Sequence, residues 1–145
     1  MDKVLLVIPA FNEEKNIERV VEDLVRGFGQ LDYVVVNDGS RDSTAKICGE
    51  KGYILLALPV NLGLAGCFQA GMKYAYRKGY RYAVQFDGDG QHRPEYIEAM
   101  RQKMEEGYDI VIGSRFVTEK KGWSVRMIGS RIIGSAIRLT TGTRV

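Results

Sequence analysis

The 145-residue sequence predicts an α/β fold: an open, mainly parallel sheet with helices on both faces, in three α/β/α layers. Three observations carry this. Short apolar runs recur at residues 4–8, 33–36 and 82–86, as strands buried on both faces of a parallel sheet read. Segments of helical periodicity separate them, clearest at Ile17, Val20, Val21, Leu24, Val25 and Phe28. Turn-forming residues close nearly every run, so strand and helix alternate and each crossover is expected to be right-handed. Ligands bind such sheets at the carboxyl ends of the strands.

Each element follows from its own residues. Residues 4–8 form the first strand, stopped at Pro9, and Ala10-Phe11-Asn12 makes the turn. Asn12 is expected to cap a helix beginning at Glu13-Glu14, whose carboxylates suit the helix dipole, and Gly27 and Gly29 end it. The second strand, 33–36, runs into the tight turn Asn37-Asp38-Gly39-Ser40, and Asp42-Ser43-Thr44 opens a helix to about Glu50. A third strand is expected over 53–58, between Gly52 and Pro59. The loop Asn61-Leu62-Gly63-Leu64-Ala65-Gly66 leads into a helix from about Ala65 to Arg77, ended by Gly79. The fourth strand ends in Asp87-Gly88-Asp89-Gly90-Gln91-His92, and Pro94 suits the first turn of the next helix, closed by Gly107. A fifth strand is expected over 109–113, then Ser114-Arg115-Phe116, a polar loop and an amphipathic helix over 125–139.

The composition, 45% hydrophobic and 27% charged, is that of a globular domain long enough to bury a core. Charge is unevenly placed. From Arg115 onward seven basic residues face Glu119 alone, a net +6, which leaves −3 for residues 1–114 of the overall +3. A basic segment implies an anionic partner: a phosphate group, a membrane surface or nucleic acid. Nucleic acid is the weakest of these, because the strand-end carboxylates repel phosphates. Cys48 and Cys67 lack metal-ligand spacing and read as reduced core thiols of a cytoplasmic protein. The opening apolar run is too short for a secretory leader, and no stretch approaches a membrane span.

Asp87-Gly88-Asp89 is the chemical focus. Carboxylates at i and i+2 on an extended strand end project to one side, and the intervening glycine lets the backbone bend so that they converge. Two such carboxylates repel unless a cation lies between them, and hard oxygen donors suit Mg²⁺ or Mn²⁺, ions that also hold diphosphate oxygens. A solvated Asp-Gly turn is the rival explanation. Asp38 is placed to accept from a base or ribose, or else to cap its own turn. Glu13 is equally a ligand contact or a carboxylate favoured by the dipole. His92 reads as a structural turn residue. No P-loop and no Gly-x-Gly-x-x-Gly follows any strand, which argues against nicotinamide chemistry.

Pro9-Ala10-Phe11-Asn12-Glu13-Glu14, Val35-Val36-Asn37-Asp38-Gly39-Ser40 with Asp42-Ser43-Thr44, Asn61-Leu62-Gly63, Asp87-Gly88-Asp89-Gly90-Gln91-His92 with Pro94, and Gly113-Ser114-Arg115 occur in that order. Together they resemble family-two glycosyltransferases of GT-A fold, especially the branch of dolichyl-phosphate mannose synthase and the polyprenyl-phosphate glycosyltransferases. Departures are Phe11 where tyrosine is common, Asn37 where aspartate is common, and Arg93 before Pro94.

The resemblance implies a Rossmann-like nucleotide-diphospho-sugar fold over residues 1–145, incomplete at the C-terminus because related chains continue with a further segment. It implies an inverting hexosyltransferase that takes a UDP- or GDP-linked sugar with Mg²⁺ or Mn²⁺ and gives it to a lipid phosphate. Transfer to a sugar hydroxyl, or donor binding without turnover, are the alternatives. Pro9, Ala10, Phe11, Glu13, Asp38, Gly63, Asp87, Gly88 and Asp89 would contact the donor. Asp87, Asp89 and Gln91 would approach the metal, and Asp89, Arg115 and Arg131 would serve catalysis, the arginines on the acceptor phosphate. A cytoplasmic protein in peripheral contact with the membrane face is the expected setting.

Overall fold

The computed structural model describes residues 3–87 and 96–113. Within them the chain runs β1 (Val4–Ala10), α1 (Ile17–Phe28), β2 (Asp32–Asn37), α2 (Thr44–Glu50), β3 (Leu55–Ala57), α3 (Gly63–Arg77), β4 (Tyr82–Gln85) and α4 (Ile97–Glu105). The strands make one parallel sheet in the order β3-β2-β1-β4. Residues Met1–Val111 form one compact unit. The chain steps outward from β1 to β2 and β3, then returns through α3 to lay β4 on the other side of β1. Strand order therefore reverses between β1 and β4, the switch point at which open α/β sheets bind ligands.

The continuous apolar run of β1 has a simple cause: both its faces are covered. Leu6, Ile8 and Ala10 join Val35, Ile17, Val20, Val21, Leu24, Cys48 and Ile97 in one cluster, under α1, α2 and α4. Leu5 and Val7 point the other way, with Val34, Val36, Cys67 and Ala75 beneath α3. These are the three expected layers. Leu6, Val7 and Ile8 are wholly buried, each worth roughly 1.5–3 kcal/mol of transfer free energy.

On the second face α3 lies unusually close to the sheet. A Cβ built on Gly71 would sit 2.3 Å from Val7 Cγ1, so only glycine permits this approach. The helix also buries Cys67, whose thiol donates to the Val36 carbonyl at 3.4 Å. Burial, helped by the charge of Asp38, pushes that thiol up to about 11, as for an inert core cysteine.

Four expectations are corrected. Residues 109–113 form no strand: Ile110 and Ile112 are 79% and 83% exposed, and no strand among the described residues lies beside them. The apolar run Ile110-Val111-Ile112 has the composition of a strand but no partner among the described residues. The first helix begins at Ile17 rather than Glu13, with Asn16 at its cap. Asn12 instead takes a left-handed conformation, φ 57°, with its side chain engaged elsewhere. Regular β3 spans only Leu55–Ala57, an edge whose sole neighbour among the described residues is β2, although Val35 N–H to Ile54 and Leu58 N–H to Asn37 extend the contact at either end. Helix α3 starts at Gly63, two residues early. The 125–139 helix lies outside the described residues.

Candidate functional site

The loops leaving β1, β2 and β3 are bolted to one another. At the root, Asp38 N–H donates to the Ala10 carbonyl at 2.8 Å, continuing the β1–β2 ladder past Ala10↔Asn37. Asn37 Oδ1 accepts Ser40 N–H at 3.3 Å and tightens the turn, in which Gly39 has φ 67°. A Cβ there would lie 2.7 Å from the Asn61 nitrogen, so Gly39 serves both as turn residue and as the point where the β3–α3 loop presses against β2.

Asp38 is 3% exposed. Its Oδ1 accepts Leu62 N–H at 2.7 Å, just before Gly63 opens α3. The carboxylate therefore braces the β3–α3 loop rather than capping its own turn, which Asn37 tightens instead. Pro9 is half-buried and Ala10 buried, both paired with the end of β2, and Phe11 is 46% exposed at the rim.

Between the first two loops the bonds are denser. Asn12 N–H donates to Ser40 Oγ at 3.0 Å, and Asn12 Oδ1 accepts Arg41 N–H at 2.9 Å, which holds the left-handed turn. Glu13 N–H donates to Thr44 Oγ1 at 2.9 Å, and Thr44 Oγ1 donates in turn to Asp42 Oδ1 at 2.5 Å. Asp42 also accepts Thr44 N–H and, on Oδ2, Glu14 N–H, both at 3.0 Å. Glu14 Oε2 closes the ring by accepting Ser43 N–H at 3.1 Å. Desolvation pushes the Asp42 carboxyl up, but the Thr44 hydroxyl and the Thr44 and Glu14 amides outweigh it and hold the group below its ordinary value. Glu13 is half-buried and its Oε2 accepts Asn16 Nδ2 at 2.8 Å, which orients the carboxylate beside the start of α1.

At the end of β4, Phe86 N–H donates to the Val7 carbonyl at 2.9 Å, and Asp87 follows, half-buried, with Oδ1 accepting Gln85 Nε2 at 2.8 Å. A strand-end carboxylate is a hard oxygen donor of the kind Mg²⁺ and Mn²⁺ take, so its chemistry fits the expected ion. Among the described residues no three ligating side chains gather. Gly88, Asp89, Gln91, Arg115 and Arg131 lie outside the described residues. The structure therefore brings Pro9 and Ala10 at the end of β1, Phe11, Glu13 and Asp38 on the connected loops that follow β1 and β2, and Gly63 at the start of α3 to one edge of the sheet, with Asp87 after β4, on the other side of β1.

Sequence reasoning overlooked Thr44 and Asp42 as site builders. Their Asp-Ser-Thr spacing marks a helix start, and nothing local in it announces bonds to residues some thirty positions earlier. Among the described residues no helix is long and apolar enough to cross a membrane.

The glycosyl transferase family 2 model matches residues 5–143. Polyprenol monophosphomannose synthase of Mycolicibacterium smegmatis is 32% identical over 124 residues, covering 79% of this chain and 46% of that protein. UDP-N-acetylglucosamine–dolichyl-phosphate N-acetylglucosaminyltransferase of Methanococcus voltae is 34% identical over 139 residues, covering 83% and 55%. The chain spans about half the length of these relatives. Among solved structures, glucosyl-3-phosphoglycerate synthase from Mycobacterium tuberculosis in complex with uridine diphosphate superposes with TM-score 0.64 at 17% identity, over 95% of this chain and 51% of that one. Its complex with Mn²⁺, uridine diphosphate and glucosyl-3-phosphoglycerate gives 0.57 at 20% identity, over 71% and 39%. At that identity the likeness speaks for the fold, which is the GT-A fold of nucleotide-sugar glycosyltransferases. With a family model matched over nearly its whole length, the chain belongs to glycosyl transferase family 2.

Proposed function

We propose that this chain is the donor-binding part of an inverting glycosyltransferase that moves a sugar from a nucleoside diphosphate to a polyprenyl phosphate, residues 1–145 acting as one domain. The observation that carries the reading is that Glu13, Asp38 and Asp87 all follow the carboxyl ends of strands, β1, β2 and β4, that neighbour one another at the switch point. Supporting it, relatives above 30% identity are named for transfer to polyprenyl or dolichyl phosphates.

Asp38 and Glu13 accept from the nucleoside, against the wall of Pro9, Ala10 and Phe11, with Gly63 at the start of α3. Asp87, Asp89 and Gln91 hold Mg²⁺ or Mn²⁺, which when bound neutralises charge on the departing diphosphate. Arg115 and Arg131 position the acceptor phosphate. A phosphate oxygen is already anionic, so orientation matters more than a strong base. That oxygen forms the new bond to the anomeric carbon as the bond to the donor diphosphate breaks. The nucleoside diphosphate leaves with the electron pair, and configuration inverts. Peripheral contact with a membrane face brings the lipid within reach.

Calorimetric titration of UDP and of GDP, each with and without Mn²⁺, tests the donor site. Metal-dependent binding of one is expected and names the base. Absence of binding by both overturns the reading.

A further inference from the structure

We propose that Thr44 is the positioning residue that locks the two loops of the strand-end cleft into one receptor for the nucleoside. Thr44 is fully buried at the first position of α2, yet its hydroxyl reaches out of its own loop. Oγ1 receives Glu13 N–H at 2.9 Å and donates to Asp42 Oδ1 at 2.5 Å, while the other Asp42 oxygen takes Glu14 N–H at 3.0 Å. One hydroxyl thus joins the chain after β1 to the chain after β2. Phe11 and Glu13 lie on the first loop and Asp38 on the second, so beside the Asp38–Ala10 and Asn12 bonds the spacing of the two loops is held through a side chain that itself faces the interior.

The bond is also directional. A hydroxyl that donates to a carboxylate must offer a lone pair to the next donor, so the charge of Asp42 turns Thr44 Oγ1 towards Glu13 N–H. Asn12 shows that the loop is held rather than relaxed: it keeps φ 57° with its N–H on Ser40 Oγ and its Oδ1 on Arg41 N–H. Remove the Thr44 hydroxyl and Glu13 N–H loses its acceptor, leaving the Asn12–Glu14 turn attached by its flanks alone.

This inference rests on the proposed donor site for its consequence, but the lock itself is measurable without ligand. Thr44→Val keeps shape and burial and deletes both bonds; Thr44→Ser keeps the oxygen. Amide exchange of the ligand-free chain is expected to rise at Glu13 in Thr44→Val by about tenfold or more, the worth of one part-buried donor left unpaired. Exchange at the sheet amides of Val7 and Val35 should hold, and Thr44→Ser should behave as the parent. Titration of UDP and GDP with Mn²⁺ should show the same pattern: about tenfold weaker binding in Thr44→Val, restored in Thr44→Ser. If Thr44→Val does not fold, Asp42→Asn weakens the same ring from its half-buried carboxylate and is expected to raise exchange at Glu13 and Glu14. Unchanged exchange in the folded variants overturns the lock. Faster exchange with unaltered nucleotide affinity overturns the positioning role. A parent chain that binds neither nucleotide overturns the donor-site reading instead, and the exchange data then decide the lock alone.

Discussion

The carboxyl ends of β2 and β4 are built on opposite plans. At the end of β2, Asp38 is flanked by strands on both sides, almost wholly buried, and bonded to Ala10 through its amide and to Leu62 through its carboxylate. At the end of β4, an edge among the described residues, Asp87 is half-buried and bonded to Gln85, two positions back on its own strand. A buried, cross-braced acceptor suits recognition of a fixed shape. A carboxylate less enclosed by the sheet stands where an ion could reach it. Under the proposed function the first end would read the nucleoside and the second would manage charge.

The largest expected effect tests the β4 end. Asp89→Ala should reduce nucleotide affinity in Mn²⁺ to the metal-free value while thermal unfolding stays within a few degrees of the parent; equal affinities with and without the substitution break the contrast. Asp38→Ala comes next. It should weaken nucleotide binding and also cost about 1.5–3 kcal/mol of stability, because Leu62 N–H loses a charged acceptor. Loss of binding with no change in denaturant midpoint would mean that Asp38 does not brace its loop.

Gly71→Ala probes what both ends share. Overpacking against Val7 should destabilise the fold by about 1–3 kcal/mol, read by urea unfolding, with nucleotide affinity of the folded fraction retained. The smallest effect is on pH dependence. Asp42 is held below its ordinary value near 3.8, so its contribution is complete above that pH and fades as pH falls through the lower folded value. Asp42→Asn should flatten the slope of stability against pH below about pH 4, checked by acid titration of the unfolding midpoint.

Much of this was legible in the sequence, for reasons that differ by element. β1 and β2 announce themselves because burial on both faces demands continuous apolar runs, and α1 because one face must match the sheet. The start of α1 was misread because Asn12 has the chemistry of a cap; a cap and a left-handed turn draw on the same short amide side chain. Residues 109–113 show that a short apolar run signals a strand's composition but supplies no partner. Asp38 and Asp87 were legible as strand-end carboxylates. The bond from Thr44 to Glu13 was not, since a hydroxyl's role depends on what the fold carries to it across a whole strand and helix.

Strand order has a consequence for time as well as place. Val4 pairs with Tyr82, whereas Leu5 pairs with Asp32, so the β1–β4 contact closes a far longer stretch of chain than β1–β2 does. Longer closures cost more entropy and form later, and the amino-terminal portion leaves the ribosome first. The joined loops after β1 and β2, with their Thr44 ring, can therefore assemble while β4 is still unpaired. The carboxylate at the end of that strand takes its position only when the last register is made. A slow folding phase, followed by a probe at the end of β4, would separate the completion of the cleft from the formation of its first wall.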